Sequence, residues 1–382
     1  MPTARYDVIV IGLGAMGSAT MYHLARRGVR VLGLDQGSFG HQNGSSHGDT
    51  RIIREAYFEH PLYVPLVKRA YELWRELEIA SEQNLMTITG GLMIGPPNGS
   101  VVTGTLRSAR THALPHEVLN ADEIHHRYPE FQPASDLVAV VDLRAGFLDP
   151  EACMRAHLHL SERSGADYRF DERVDNWSVD GDGVQVETPR GRYRADRLLL
   201  SCGPWMRDMT PDLELPLVVE RQSVFWFEPN GHSATYSVET FPIYAYEYVE
   251  GNIVYGFPRQ PLGVKASVMH SGETAPSEAS LRRQIQNEEV EPLRKALHPV
   301  LPDLARAEVR RSMRCLFTNT PDHDFIIDFH PEHPQVLISS PCSGHGFKFA
   351  SAIGELHADL LTAGQSRFDL APFRIARFSK DA

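Results

Sequence analysis

The hydrophobic pattern changes period several times along the chain. In "DVIVIGLGAMGSATMYHLARRG" (7–28) a short apolar run, Val8 to Ile11, breaks at Gly12 and passes into small residues. That predicts a buried strand, a turn and a helix from about Ala15 to Arg27, followed by a second strand over Val29–Leu34. Residues 37–50, "GSFGHQNGSSHGDT", show no period and are too long for a plain connector. Leu66, Ala70, Leu73, Trp74 and Leu77 then recur at helical spacing, so a helix over Leu62–Leu77 packs one face on a sheet. A strand pair is predicted around Gly90–Gly91, and a helix within 147–165 started by Asp149–Pro150. "YRADRLLLSCGPW" (193–205) reads as another buried strand ending in a glycine turn.

From residue 223 the character shifts. "SVFWFEPNG" and "FPIYAYEYVEGNIVYGFP" are aromatic-rich, with a turn at Glu250–Gly251–Asn252, which is antiparallel hairpin composition. The last stretch returns to a strand, a glycine-rich turn and a closing helix. The fold class expected is therefore α/β plus α+β: a discontinuous Rossmann-like domain from 1–85, 150–222 and 308–382, and an antiparallel-sheet substrate domain from 86–149 and 223–307.

A length of 382 residues suits two cores, and 42% apolar with 23% charged residues is ordinary globular composition. The net charge of −11, without a Lys/Arg run, argues against nucleic acid as partner. No stretch approaches a membrane span and the first strand starts by Tyr6, so no membrane partner and a cytoplasmic location are expected. Four widely spaced cysteines, Cys153, Cys202, Cys315 and Cys342, form no C-x-x-C pair, and each reads first as a small buried hydrophobe. His330-x-x-His333, with His323 nearby, lies between prolines in what reads as an exposed turn with no acidic or cysteine partner, so no metal is expected.

Gly12-x-Gly14-x-x-Gly17 supplies a tight turn, room for a pyrophosphate and close helix packing. Asp35, ending the next strand, can accept from a ribose hydroxyl. The motif names a dinucleotide but does not choose between NAD(P) and FAD, since both pyrophosphates sit on a helix N-terminus. "GLGAMG" also looks like the fingerprint of NAD(P)-linked hydroxyacid dehydrogenases.

Four further stretches carry a resemblance: "GSSHGDTRIIREAY" (44–57), "YGFP" (255–258), "MRCLFTNTPDHDFIID" (313–328) and "SGHGFKFASAIGE" (343–355). In order, and over nearly the whole chain, the sequence resembles the monomeric sarcosine oxidase family, flavoenzymes that include N-methyltryptophan oxidase and pipecolate oxidase. The resemblance implies FAD, held by a thioether from Cys315 to the flavin 8α carbon, a bond that requires a thiolate. It implies a carboxylate clamp from Arg54 and Lys348, with Lys265 as the oxygen-activating cation and Tyr255 on the substrate side. His47 and Arg51 fall near the flavin ring, and Thr50, Gly344, Gly346 and Lys348 among the cofactor contacts. Arg51 and Arg54 share a face if "TRIIR" is helical and oppose each other if it is a strand.

Two positions depart from the sarcosine pattern. Met269 stands where sarcosine-oxidising members have histidine, with His270 displaced by one, and Phe317 stands where they have tyrosine. Both remove polar groups and favour a bulkier or more apolar amine. The expected activity is oxidation of the carbon–nitrogen bond of a secondary amino acid, N-methylated or cyclic as in pipecolate and proline, by a monomer that passes electrons to O2 and releases H2O2. An NAD(P)-linked dehydrogenase and a non-catalytic flavoprotein are the competing classes.

Overall fold

A computed structural model describes residues 5–229 and 233–379. The opening run forms the strand Arg5–Ile11, which pairs in parallel with Val31–Leu34 on one side and Gly191–Leu200 on the other. Val336–Ser340 continues the parallel order beside the C-terminal half of Gly191–Leu200, and the completed sheet has eight strands. Strands buried on both faces need continuous apolar sequence, as "VIVI", "RLLL" and "VLISS" provide.

The helices Ala15–Arg26, Pro150–Arg163 and Ala350–Ala363 pack together against this sheet, and Val64–Ser81 covers the closing helix. Gly354 permits the closest of these approaches, since a Cβ there would lie 2.7 Å from the Cβ of Ala19. The Asp149–Pro150 start behaves as read: the Asp149 side chain accepts from Ala152 N at 2.8 Å, with Pro150 in the first turn. The predicted helix at 62–77 begins instead with a 3-10 turn, Pro61–Tyr63, and runs from Val64 to Ser81.

A nine-stranded, mostly antiparallel sheet forms the second layer. Two expectations are corrected there. The strand Val218–Glu228 is continuous and pairs along its length with Glu308–Asn319, so 218–222 and 308–319 belong to this sheet, not to the nucleotide-binding one. The aromatic shift at 223 marks a change of environment within one strand. Cys315 therefore projects from the substrate-side sheet. The expected strand pair around Gly90–Gly91 also divides: Met86–Ile88 joins Arg51–Ile53 and Gly146–Leu148 in a small sheet, whereas Gly91–Gly95 enters the nine-stranded one.

His330 is also not in an exposed turn. It is buried, 2.9 Å from Asp212 through Nε2, and its ring stacks on His333. Among the described residues no cluster of three or more His, Cys, Asp or Glu side chains has metal-binding geometry, and no helix is long and apolar enough to cross a membrane.

Candidate active site

One long cleft runs from the glycine turn after the first strand to the face of the nine-stranded sheet. At its nucleotide end Gly12 has φ +90°, and a Cβ there would lie 2.4 Å from the Ser201 carbonyl oxygen. A Cβ on Gly17 would come within 1.8 Å of the Gly12 oxygen. Gly14 caps the first helix with no acid in the first turn; Ala15 N donates to Ser46 Oγ at 3.1 Å, and the positive end of the helix faces the cleft. Asp35 accepts from Leu13 N at 2.8 Å and Gly37 N at 2.9 Å, so it also braces the turn. A carboxylate keeps further lone pairs for a ribose.

Midway, Arg51 is pinned by backbone: Nη1 donates to Thr50 O at 2.9 Å, and Nη2 to Ser45 O at 2.8 Å and His47 O at 2.5 Å. The same Nη2 lies 3.4 Å from Cys315 Sγ, which is buried on the cleft wall. Lys265, 2% exposed, donates to Gly48 O at 2.6 Å, Thr50 O at 2.8 Å and Thr50 Oγ1 at 3.1 Å. Thr50 thus lines the cleft and also anchors this lysine. His47 lies off the cleft wall, with Nδ1 3.1 Å from Met313 Sδ and Nε2 3.1 Å from Gly44 O. Burial, then Arg51, lower its pKa to about 3, so it is a neutral packing residue rather than one facing the cleft.

Residues fit for a flavin gather here. The buried Ser45 Oγ has no partner among the described residues, the Cys315 thiol faces the cleft, and Gly344 and Gly346 also line it. A Cβ on Gly344 would press on Phe317 at 2.8 Å, and one on Gly346 on the Pro341 oxygen at 1.7 Å.

At the far end the strand Arg51–Ile53 rules out the helical reading; Arg54 follows it directly, and the two guanidiniums keep separate partners, Arg51 beside Cys315 and Arg54 on Glu59. Arg54, 4% exposed, donates from Nη2 to both Glu59 oxygens at 2.7 and 2.5 Å, and its guanidinium lies 4.2 Å from the Tyr57 ring centre. The Lys348 ammonium stands 5.2 Å from the same ring and donates to His345 O at 2.6 Å. The two cations thus converge on Tyr57. Burial, then Arg54, lower the Lys348 ammonium to about 7. Tyr255 lines the cleft, and burial pushes its phenol up to about 12.

Tyr57, Glu59 and His345 escaped sequence reasoning. The Tyr57 hydroxyl meets His345 Nδ1 at 2.5 Å, and His345 Nε2 lies 2.9 Å from His323 O. Met269 and Phe317 both line the cleft, whereas His270 turns outward to Glu220 at 3.0 Å and packs on Phe317. No imidazole replaces Met269 at the wall.

The family described as FAD dependent oxidoreductase matches residues 7–360. A protein named monomeric sarcosine oxidase from Streptomyces avermitilis is 41% identical over 372 residues, covering 96% of each chain. N-methyl-L-tryptophan oxidase from Salmonella arizonae is 36% identical over 98% of this chain and 100% of its own. Among solved structures, NikD, titled an unusual amino acid oxidase, superposes with a TM-score of 0.84 at 25% identity, covering 97% of this chain and 98% of its own. L-proline dehydrogenase from P.horikoshii shares the fold, with a TM-score of 0.85 at 18% identity and 98% coverage of both. The cofactor is thus FAD rather than NAD(P), and the chain belongs to the FAD dependent oxidoreductase family, alongside the monomeric sarcosine and N-methyltryptophan oxidases.

Proposed function

We propose that this chain is a monomeric oxidase of secondary amino acids that carry an apolar substituent. The observation that supports this most directly is the convergence of Arg54 and Lys348 on Tyr57, at the end of a cleft whose middle holds Cys315 and Lys265. Arg presents a planar fork to a carboxylate and Lys adds a point charge. Met269, Phe317 and Phe58 supply apolar walls beside them.

FAD, when bound, supplies the two-electron oxidant for the carbon–nitrogen bond. The clamp holds the carboxylate and so fixes the C–H next to nitrogen, a positioning effect worth several kcal/mol. The apolar walls exclude water from the reacting carbon, and the amine reacts as the neutral form. The imine is then hydrolysed. The balance is one amine, one O2 and one water consumed, and one H2O2 released with a carbonyl compound and an amine, which are one ring-opened molecule when the substrate is cyclic. Cys315 would hold the flavin through a thioether, and Lys265 would provide the cation that favours electron transfer to oxygen.

The test is anaerobic mixing of the purified yellow protein with sarcosine, pipecolate, proline and N-methyltryptophan. Bleaching fastest with an apolar member of the panel is expected. Absence of bleaching with all four would reduce the chain to a flavin-binding protein, and bleaching by sarcosine alone would remove the apolar preference.

A further inference from the structure

The cage around Lys265 lacks charge. Its hydrogen-bond acceptors are two carbonyls and a hydroxyl, and the faces of Phe257 and Trp226 close it at 4.8 and 5.5 Å. A buried ammonium held only by neutral dipoles tends to lose its proton. Burial, and after it Arg51, do push Lys265 well below the usual lysine range.

The charged and titratable groups that face it come from three elements. The 47–51 segment brings His47, Asp49 and Arg51; the helix Pro150–Arg163 brings Glu151; the strand Glu308–Asn319 brings Cys315 and, across the Trp226 ring, Arg311. Of these, Asp49, Glu151 and Cys315 can be negative. A thioether to flavin would remove the charge of Cys315 and leave the two carboxylates.

Glu151 is placed for this. Its Oε1 accepts from Gly48 N at 2.7 Å, fixing the turn whose Gly48 and Thr50 oxygens hold the ammonium. Its Oε2 is buried with no hydrogen-bond partner among the described residues, as is Asp49 Oδ2. Asp49 sits in that turn at φ +65°. We propose that Glu151 is the positioning residue for Lys265, holding the Gly48–Thr50 turn around the ammonium and, with Asp49, supplying the negative charge that the cage lacks. This rests on the reading of Lys265 as the cation that faces oxygen. Burial pushes the Asp49 carboxyl up.

The experiment uses holoenzyme labelled with [15Nζ]lysine. The chain has five lysines, so the spectrum is sparse, and Lys265→Met assigns its signal. Glu151→Gln keeps an oxygen for Gly48 N and removes only charge. It should lower the Lys265 titration midpoint by about one pH unit, about tenfold in proton affinity. Reoxidation at alkaline pH should fall about tenfold with it, while anaerobic reduction changes less than twofold. Asp49→Asn, which suits a positive φ, should shift the midpoint in the same direction and carries the measurement if Glu151→Gln fails to fold. A midpoint unchanged in both variants, or equal loss in both half-reactions, overturns the proposal. Normal reoxidation of Lys265→Met would instead remove the oxygen role, and the midpoint shift would still decide the pairing.

Discussion

Arg54 Nη2 donates to both oxygens of Glu59, at 2.7 and 2.5 Å, so the clamp arginine already holds an internal carboxylate. Burial raises the Glu59 carboxyl, but Arg54, His345 and Lys348 outweigh it and hold Glu59 below the usual range. A substrate carboxylate must compete with this anion. Glu59→Gln should therefore tighten binding of a non-reacting carboxylate ligand by about tenfold, the scale of one charged hydrogen bond. The measurement belongs well below pH 7, because Glu59 raises the Lys348 ammonium and its loss moves that group further down. Weaker binding in the variant would mean that Glu59 supports the clamp instead of competing for it.

Lys348 gives the same ligand a pH dependence. With its ammonium lowered to about 7, the lysine is charged below that pH and increasingly neutral above it. A bound anion favours the charged form, so carboxylate binding above pH 7 takes up a proton. Affinity should fall by up to about tenfold per unit as pH rises through 7, until Arg54 alone holds the ligand. Calorimetric titration in buffers of different ionisation enthalpy reads the proton directly. Lys348→Met should bind weakly without the slope, and a variant that kept the slope would move its origin to another group.

The nucleotide end of this cleft was legible because its signals are local: Gly12, Gly14, Gly17 and Asp35 sit within one strand–turn–helix–strand unit. The clamp was legible only by resemblance, since Arg54 and Lys348 meet through the ring of Tyr57. Tyr57 and His345 bond across 288 positions, and no periodicity encodes such a contact. The face occupied by Arg51 stayed open for the same reason. Its three-residue strand exists through pairing with Gly146–Leu148, distant in sequence. The boundaries near 222 and 307 were misplaced because composition changes within one strand, from buried Glu220, Arg221 and Gln222 to buried aromatics, whereas the strands follow their hydrogen-bond ladder.

Cys315 stands opposite Gln222 on the neighbouring strand, with Arg51 Nη2 3.4 Å from its sulfur. Cys315→Ala should yield flavin released by acid or denaturing electrophoresis, while the wild-type polypeptide stays fluorescent. Flavin remaining on the variant chain would place the link at another residue.

Buried histidines set the acid limit of the fold. His357 joins the first helix to the parallel sheet, with its ring nitrogens 2.8 Å from Thr20 Oγ1 and 2.7 Å from Ser339 Oγ. Burial lowers its pKa to about 3, and lowers His23 and His345 to about 4. Each is neutral when folded and takes a proton on unfolding once pH falls below its unfolded value near ~6.5. Their contribution is complete above that value and declines as pH drops toward 4 and 3, at about 1.4 kcal/mol per pH unit per histidine. Urea midpoints of the holoenzyme should therefore fall steeply between about pH 6.5 and pH 4.5. His357→Gln, able to bond both hydroxyls without titrating, should be less stable at neutral pH yet show a slope smaller by one proton. An unchanged slope would assign the acid sensitivity to groups other than His357.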